Sequence, residues 1–315
     1  MSSPGSHHDY VNLTTDNSSP GRQQPQASTG PRRLLIFRHG ERLDFNCSSV
    51  VEPDGRNRHW VDRAFDAQGR YTRFNLNMPK ALPDRPEGHF GYAVDTPLTE
   101  IGYLQAKLTG RALRDAGVRP DYVYVSPALR SVQTCNGILK GLAAAGASEG
   151  TAAAGGARGL RYGVEPALFE WGVWRHDCAQ FLEPRLLARL GYAVDADYEP
   201  LWSMTTITER ETLAQYYERS HALVLALLAR HAQPGATIFL VGHGSSPDAL
   251  TRQLCGGRPR GSTEFMELVR RTPYLACCQA QERPGSGLFQ LVEPAVPPLA
   301  QQANPAYDWT QLIRA

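Results

Sequence analysis

Two short apolar runs, each ending in a histidine set beside glycine, constrain the fold of this chain more than any other feature. Leu34-Leu35-Ile36-Phe37 leads into Arg38-His39-Gly40-Glu41-Arg42, and Thr237-Ile238-Phe239-Leu240-Val241 leads into Gly242-His243-Gly244. Continuous apolar runs of this length suit strands buried on both faces, as in a parallel sheet covered by helices. Gly40 is expected to let the chain turn sharply out of the first strand. Both histidines then stand at the carboxyl ends of their strands, the edge at which open α/β sheets bind ligands. Arg38 and Arg42 flank His39. Two cations around one imidazole make little sense as core packing. They suit a doubly charged phosphate, which arginine grips with its planar fork of donors. The same charges disfavour an imidazolium, so His39 is expected to be neutral and nucleophilic.

Between these runs the chain repeats the theme. Tyr122-Val123-Tyr124-Val125 reads as a second strand, and Ser126-Pro127 as the N-cap and first position of a helix running to about Leu142. Arg130 falls in the first turn of that helix, where the helix N-terminus also favours anions. Upstream, Thr96-Pro97-Leu98-Thr99-Glu100 opens a helix with an expected buried stripe at Ile101, Leu104, Leu108 and Leu113, stopped by Gly117. Residues 160–164 read as a third strand, 184–190 as a short helical piece and 208–231 as a long amphipathic helix. Ser246-Pro247-Asp248 is expected to cap the helix after the second histidine. Residues 274–281 and 287–292 read as a hairpin near the sheet edge. Glu170 lies between Phe169 and Trp171, a setting that can hold a carboxylic acid protonated for use as a general acid, although on these residues alone a half-buried acid paired with an arginine is the favoured reading.

Residues 1–32 are polar, rich in Ser, Pro, Gln and Asn, and cannot bury enough surface to offset ordering entropy, so a disordered tail is expected ahead of a domain at 33–315. Residues 43–95 form a long Pro- and Gly-rich stretch with interspersed aromatics, read as an ordered flap over the core that shapes the substrate pocket. Residues 143–159, Ala- and Gly-rich, read as a flexible loop. A net charge of +2 argues against nucleic acid or an anionic membrane as the main partner. No stretch reaches membrane-span length and no apolar leader opens the chain. The six cysteines form no C-x-x-C pair and no metal-ligand spacing, which suits reduced thiols in a cytoplasmic protein without a metal.

Arg38-His39-Gly40-Glu41-Arg42-Leu43-Asp44, Ser126-Pro127-Ala128-Leu129-Arg130, Val164-Glu165-Pro166 with Phe169-Glu170-Trp171, and His243-Gly244-Ser245 together resemble the histidine phosphatase, or phosphoglycerate mutase-like, superfamily. Within it they resemble the phosphatase domains of the suppressor of T-cell receptor signalling proteins and the insect ecdysteroid-phosphate phosphatases. The resemblance implies an α/β fold, a three-layer α/β/α sandwich on a mostly parallel mixed sheet, and no cofactor or metal. It makes His39 the phosphorylated nucleophile, Arg38, Arg42, Arg130 and His243 the phosphate pocket, and Glu170 the acid/base. The implied function is hydrolysis of phosphomonoesters, of phosphotyrosine protein or steroid phosphate. A homodimer is suggested by the resemblance alone. Two alternatives stand beside this reading. One is a phosphoglycerate mutase-type phosphotransferase, disfavoured because Arg42-Leu43-Asp44-Phe45 follows Arg38-His39-Gly40-Glu41 where such mutases carry Ser and then Trp-Asn. The other is a non-catalytic phospholigand-binding protein, which would not need both His39 and Glu170.

Overall fold

The structure, a computed structural model, describes residues 30–47, 50–51, 57–144, 159–174, 181–300 and 309–313. Most of the expected N-terminal tail and of the Ala/Gly loop lies outside the described residues. In chain order the elements are β1 (Arg33–Arg38), α1 (Leu43–Cys47), β2 (Val50–Val51), β3 (Asn57–Arg58), α2 (Trp60–Ala64), α3 (Glu100–Asp115), β4 (Tyr122–Val125) and α4 (Leu129–Ala143). They continue with β5 (Gly163–Val164), α5 (Pro184–Arg189), α6 (Leu213–Arg230), β6 (Thr237–Gly242), α7 (Ser246–Ala249), α8 (Ser262–Arg271), β7 (Cys277–Glu282) and β8 (Phe289–Val292).

Six strands form one mixed sheet in the order β5-β4-β6-β1-β7-β8. The β5/β4, β4/β6 and β6/β1 pairs are parallel, and β7 and β8 close one side antiparallel. Side chains alternate between two faces. Leu35, Phe37, Val125, Phe239 and Val241 pack with Leu113, Val132 and Ile138 of α3 and α4. Leu34, Ile36, Ile238 and Leu240 pack with Leu223, Val224 and Leu227 of α6. The result is an α/β/α sandwich. Leu34 to Phe37 have no exposed surface, and each such side chain contributes about 2 kcal/mol on leaving water. That is why β1 carries no polar residue between Arg33 and Arg38 at its two ends.

The 43–95 stretch packs on the α3/α4 side. Trp60, Met78 and Tyr92 are buried in the main core, with Phe65, Tyr71 and Phe74 against it. Glu41 fastens this stretch, its carboxylate accepting from Asn77 Nδ2 at 2.9 Å and from Thr99 Oγ1 at 2.7 Å.

Three local expectations are corrected. The first is the face of α3. Ile101, Leu104 and Leu108 are 43%, 51% and 44% exposed, and only Leu113 of the expected stripe is buried. The inward face is Gly102, Gln105, Ala106, Thr109, Gly110 and Leu113. Small residues face α4 because the two helices approach to backbone contact: a Cβ on Gly110 would lie 2.0 Å from the Ile138 carbonyl oxygen. The second is capping. α4 begins at Leu129, with Ala128 at the N-cap and no cap from its own side chain. Asp95, 34 residues upstream, accepts from Leu129 N at 2.8 Å instead. Likewise Ser246 begins α7 rather than capping it, and its Oγ accepts from His243 N at 2.8 Å. The third is Gly40. Its φ is not positive; it is glycine because a Cβ there would meet the Gly102 carbonyl oxygen at 2.9 Å. The remaining elements differ from expectation at their ends: the third strand is the two residues of β5, and α6 starts at a Thr212 capping box rather than at Thr208.

Candidate active site

The register of the central strands builds the site. Arg38 pairs with Gly242 across β1 and β6. His39 N then donates to Gly242 O at 2.9 Å, one step past the paired ends. His39 and His243 therefore meet edge to face, ring centroids 5.5 Å apart. On the other side of β6, Val125 pairs with Val241 and Ser126 N donates to Val241 O at 2.9 Å. Ser126 thus lies beside His243, and its hydroxyl takes a hydrogen bond from His243 Nε2 at 2.8 Å. Gly242 is required between them, since a Cβ there would sit 2.3 Å from Ser246 Oγ.

His39 is buried, and its Nδ1–H donates to the Gly40 carbonyl at 2.8 Å. That bond places the ring proton on Nδ1 and leaves the lone pair on Nε2. Burial first, then the charges of Arg130 and Arg38, the neighbouring His243 and Arg42, hold the imidazole neutral well below the ordinary histidine range. Arg38 donates to Thr272 O and lies over the Tyr274 ring at 4.4 Å. Arg42 is held by Asp44, with contacts of 3.0 and 2.5 Å, and by the Phe45 ring at 4.4 Å. Arg130, almost fully buried in the first turn of α4, donates from one nitrogen to Glu170 Oε1 at 2.5 Å and to His243 Nδ1 at 3.2 Å. Thr134 ties this helix to the loop that carries His39, accepting from Gly40 N at 2.8 Å and donating to Arg130 O at 2.7 Å. The buried Nε–H groups of Arg38 and Arg130 have no hydrogen-bond partner among the described residues. Uncommitted guanidinium donors in a cationic cluster fit a ligand with several anionic oxygens.

All six residues singled out in the sequence come together here, with one change of reasoning. Glu170 is not held protonated by its aromatic neighbours. Burial raises its carboxyl, but His243 and the guanidinium groups of Arg130, Arg42 and Arg38 outweigh that effect and leave it below the usual carboxylate range. Its second oxygen is 3.5 Å from His243 Nδ1. His243 itself is pushed down to about 3, burial opposing the charged ring more strongly than Glu170 favours it.

Sequence reasoning missed Tyr274, Ser126 and Thr134 as site residues. Ser126 opens the quoted Ser126–Arg130 motif and Thr134 lies one helical turn past its end, but only the tertiary structure shows whom they face. Tyr274 precedes an antiparallel strand, so it starts at the edge where the parallel strands end. The next residue, Leu275, is the only non-glycine among the described residues with positive φ, at 58°. Its N–H reaches His39 O at 3.3 Å, so this strained turn is anchored to the backbone of His39 itself.

The two neutral histidines set a pH dependence. Above about pH 6.5 both the folded and unfolded forms leave His243 uncharged, and it contributes nothing. Below that the unfolded chain takes up a proton that the folded protein refuses until about pH 3, so stability falls as pH falls through this window. At pH 5 the loss from His243 is expected to be about 2 kcal/mol. Urea unfolding at pH 7 and pH 5 measures it, and His243→Asn should reduce the dependence by that amount and leave the part due to His39. Parallel slopes for the two proteins would show that His243 titrates normally in the fold.

Known proteins carry the same arrangement of elements. Residues 83–268, more than half of the chain, match the description "Histidine phosphatase superfamily (branch 1)". The chain belongs to the histidine phosphatase superfamily. It is 36% identical over 299 residues to the human ubiquitin-associated and SH3 domain-containing protein B, covering 94% of this chain and 42% of that protein. To the Drosophila melanogaster ecdysteroid-phosphate phosphatase it is 34% identical over 307 residues, covering 96% and 37% respectively. The chain therefore spans about two fifths of the length of these curated relatives. The crystal structure of the Bombyx mori ecdysone phosphate phosphatase in complex with tungstate superposes with a TM-score of 0.70 at 30% identity, over 89% of this chain and 99% of that one. The superposition agrees with the α/β/α sandwich, in which the ends of the adjacent strands β4, β6 and β1 carry the site. Among the described residues no helix is long and apolar enough to cross a membrane.

Proposed function

We propose that the chain is a phosphomonoester hydrolase working through a phosphohistidine on His39. The observation that carries this reading is the neutral, Nδ1–H-anchored His39 set among Arg38, Arg42 and Arg130. The guanidinium groups bind the phosphoryl oxygens and neutralise the charge that spreads over them in the transition state. His39 Nε2 attacks phosphorus in line, a P–N bond forms and the ester P–O bond breaks. The departing oxygen takes its proton from Glu170. A water then attacks the phosphohistidine, gives a proton to Glu170, and the P–N bond breaks to release phosphate and neutral His39. His243 accepts from Arg130 on Nδ1 and so orients that guanidinium in the phosphate pocket.

Glu170 must be protonated for the first step, yet it is ionised beside Arg130 in the ligand-free protein. The incoming phosphate supplies the change. It competes for Arg130 and places negative charge beside the carboxylate, and both effects raise the Glu170 pKa. A substrate monoanion can also bring the proton with it.

The tungstate complex of the Bombyx mori relative supports an oxyanion as ligand, and the Drosophila relative's name supports a steroid phosphate among the substrates. Phosphotyrosine protein is the other substrate class proposed, with the aromatic faces of Tyr274 and Phe45 beside the arginines to receive a planar leaving group. A reducing, cytoplasmic setting fits the free thiols of Cys47, Cys135, Cys255, Cys277 and Cys278.

The test is turnover of p-nitrophenyl phosphate with EDTA present, quenched in alkali during steady state. Phosphohistidine survives alkali, so mass spectrometry of the peptide containing His39 should show added phosphate. Turnover without any label at His39, or no turnover, rejects the proposal.

A further inference from the structure

Glu170 sits on backbone that belongs to neither a strand nor an α-helix. It lies between two 3₁₀ turns, Pro166–Leu168 and Gly172–Trp174. Such backbone does not by itself hold a side chain to the tolerance that proton transfer needs. A buried ion pair contributed by α6 and the residue just ahead of its cap does the holding. Arg219 donates from Nε and one terminal nitrogen to the two oxygens of Glu211, at 2.7 and 2.8 Å. Its remaining donors reach Ala167 O at 2.7 Å, Phe169 O at 3.0 Å and Glu170 O at 3.3 Å. Glu211 closes the other side. Its carboxylate accepts from Gly172 N at 2.8 Å, and its carbonyl accepts from Trp171 Nε1 at 2.7 Å. Gly172 fits there only without a side chain, since a Cβ would lie 2.0 Å from Thr208 O.

Every residue from Phe169 to Gly172 is thus tied to this pair. Both charged groups are more than nine-tenths buried, and neither contacts the phosphate pocket. A pair serving stability alone has no need to place all its spare donors on the carbonyls around one carboxylate. We propose that Arg219 and Glu211 are positioning residues for Glu170. They fix its carboxyl beside Arg130 and within reach of the leaving oxygen, and so they set how well the enzyme cleaves alkyl as opposed to aryl phosphates. The proposal rests on Glu170 being the acid.

Leaving-group chemistry provides the readout. A nitrophenolate departs without protonation, whereas an alkoxide does not. The measure is kcat/KM, because it ends at the first irreversible step, loss of the leaving group, and excludes the later hydrolysis of phosphohistidine. The probes are p-nitrophenyl phosphate and 2-phenylethyl phosphate. Glu170→Gln should lower kcat/KM roughly 10²- to 10³-fold on the alkyl ester and less than about 10-fold on the aryl ester. Arg219→Lys keeps the charge but loses the fork. It should cost about 10-fold or more on the alkyl ester and under about 3-fold on the aryl ester, and should add nothing in a Glu170→Gln background. Glu211→Gln, nearly isosteric and still able to accept from Gly172, should show the same pattern in milder form. Inhibition by inorganic phosphate should be unchanged in both. If Arg219→Lys and Glu211→Gln lower both esters by one factor, or their losses multiply with that of Glu170→Gln, the pair is merely structural and the proposal is overturned. If Glu170→Gln itself lowers both esters equally, the acid assignment falls and takes this proposal with it.

Discussion

His39→Ala is expected to lower kcat/KM on p-nitrophenyl phosphate by at least about 10⁴-fold and to leave the protein folded. No other group can replace it. His243, the other ring at the site, donates from Nε2 to Ser126 and takes a hydrogen bond on Nδ1 from Arg130, so it has no free lone pair to offer. The fold should survive because the bonds that join β1 to β6 past the strand end are made by main-chain atoms, as in His39 N to Gly242 O. The ring itself is uncharged, so its loss leaves no unpaired buried charge. Steady-state kinetics beside a urea unfolding curve separates the two effects. His39→Gln, which fills more of the space, serves as a second inert variant. Retained turnover in either folded variant would assign the nucleophile elsewhere.

Gly110→Ala is expected to destabilise the protein by about 3 kcal/mol or more, although intrinsic helix propensity argues for the opposite sign. Exchanging glycine for alanine inside a helix should stabilise it by about 1 kcal/mol. At Gly110 the new Cβ would lie 2.0 Å from the Ile138 carbonyl oxygen and 3.0 Å from Gly141 Cα, all backbone of α4. Gly141 faces back in the same way, its Cβ position 2.2 Å from Lys107 O. A backbone contact cannot be relieved by a rotamer change, so α3 and α4 must separate and lose contact along their shared face. Because α4 carries Arg130 and Thr134, activity should fall with stability. The midpoint of chemical unfolding tests this directly, and a gain in stability would mean that the helices have slack at this crossing.

The candidate site was legible in the sequence because it is built from residue types at strand ends. Arg38-His39-Gly40 and Gly242-His243-Gly244 each follow a fully apolar strand, and that context says which edge of the sheet they occupy without knowing any contact. Arg130 could be read in the same way from its place one turn into a helix after β4. Glu170 was legible as a candidate, but its charge state was not. The carboxylate is governed by Arg130 and His243, which come from other elements, rather than by the aromatic residues beside it in the chain.

What the sequence by itself determined about this protein is the order of the six main-sheet strands and of α3 to α7, and the identity of the six charged or imidazole groups that gather at the candidate site. Those follow from apolar periodicity and local stereochemistry, which act over a few residues. Only the tertiary structure decided which face of α3 is buried, that Asp95 and not Ser126 caps α4, and that Arg219 and Glu211 grip the backbone around Glu170. It also decided that Tyr274 lies beneath Arg38. Each of these depends on the distance between backbones or on strand register across residues far apart in the chain. Small residues at a helix crossing illustrate the reason: Gly110 and Gly141 offer almost no apolar signal of their own, yet they determine how closely α3 and α4 approach, and so which larger side chains are left facing solvent.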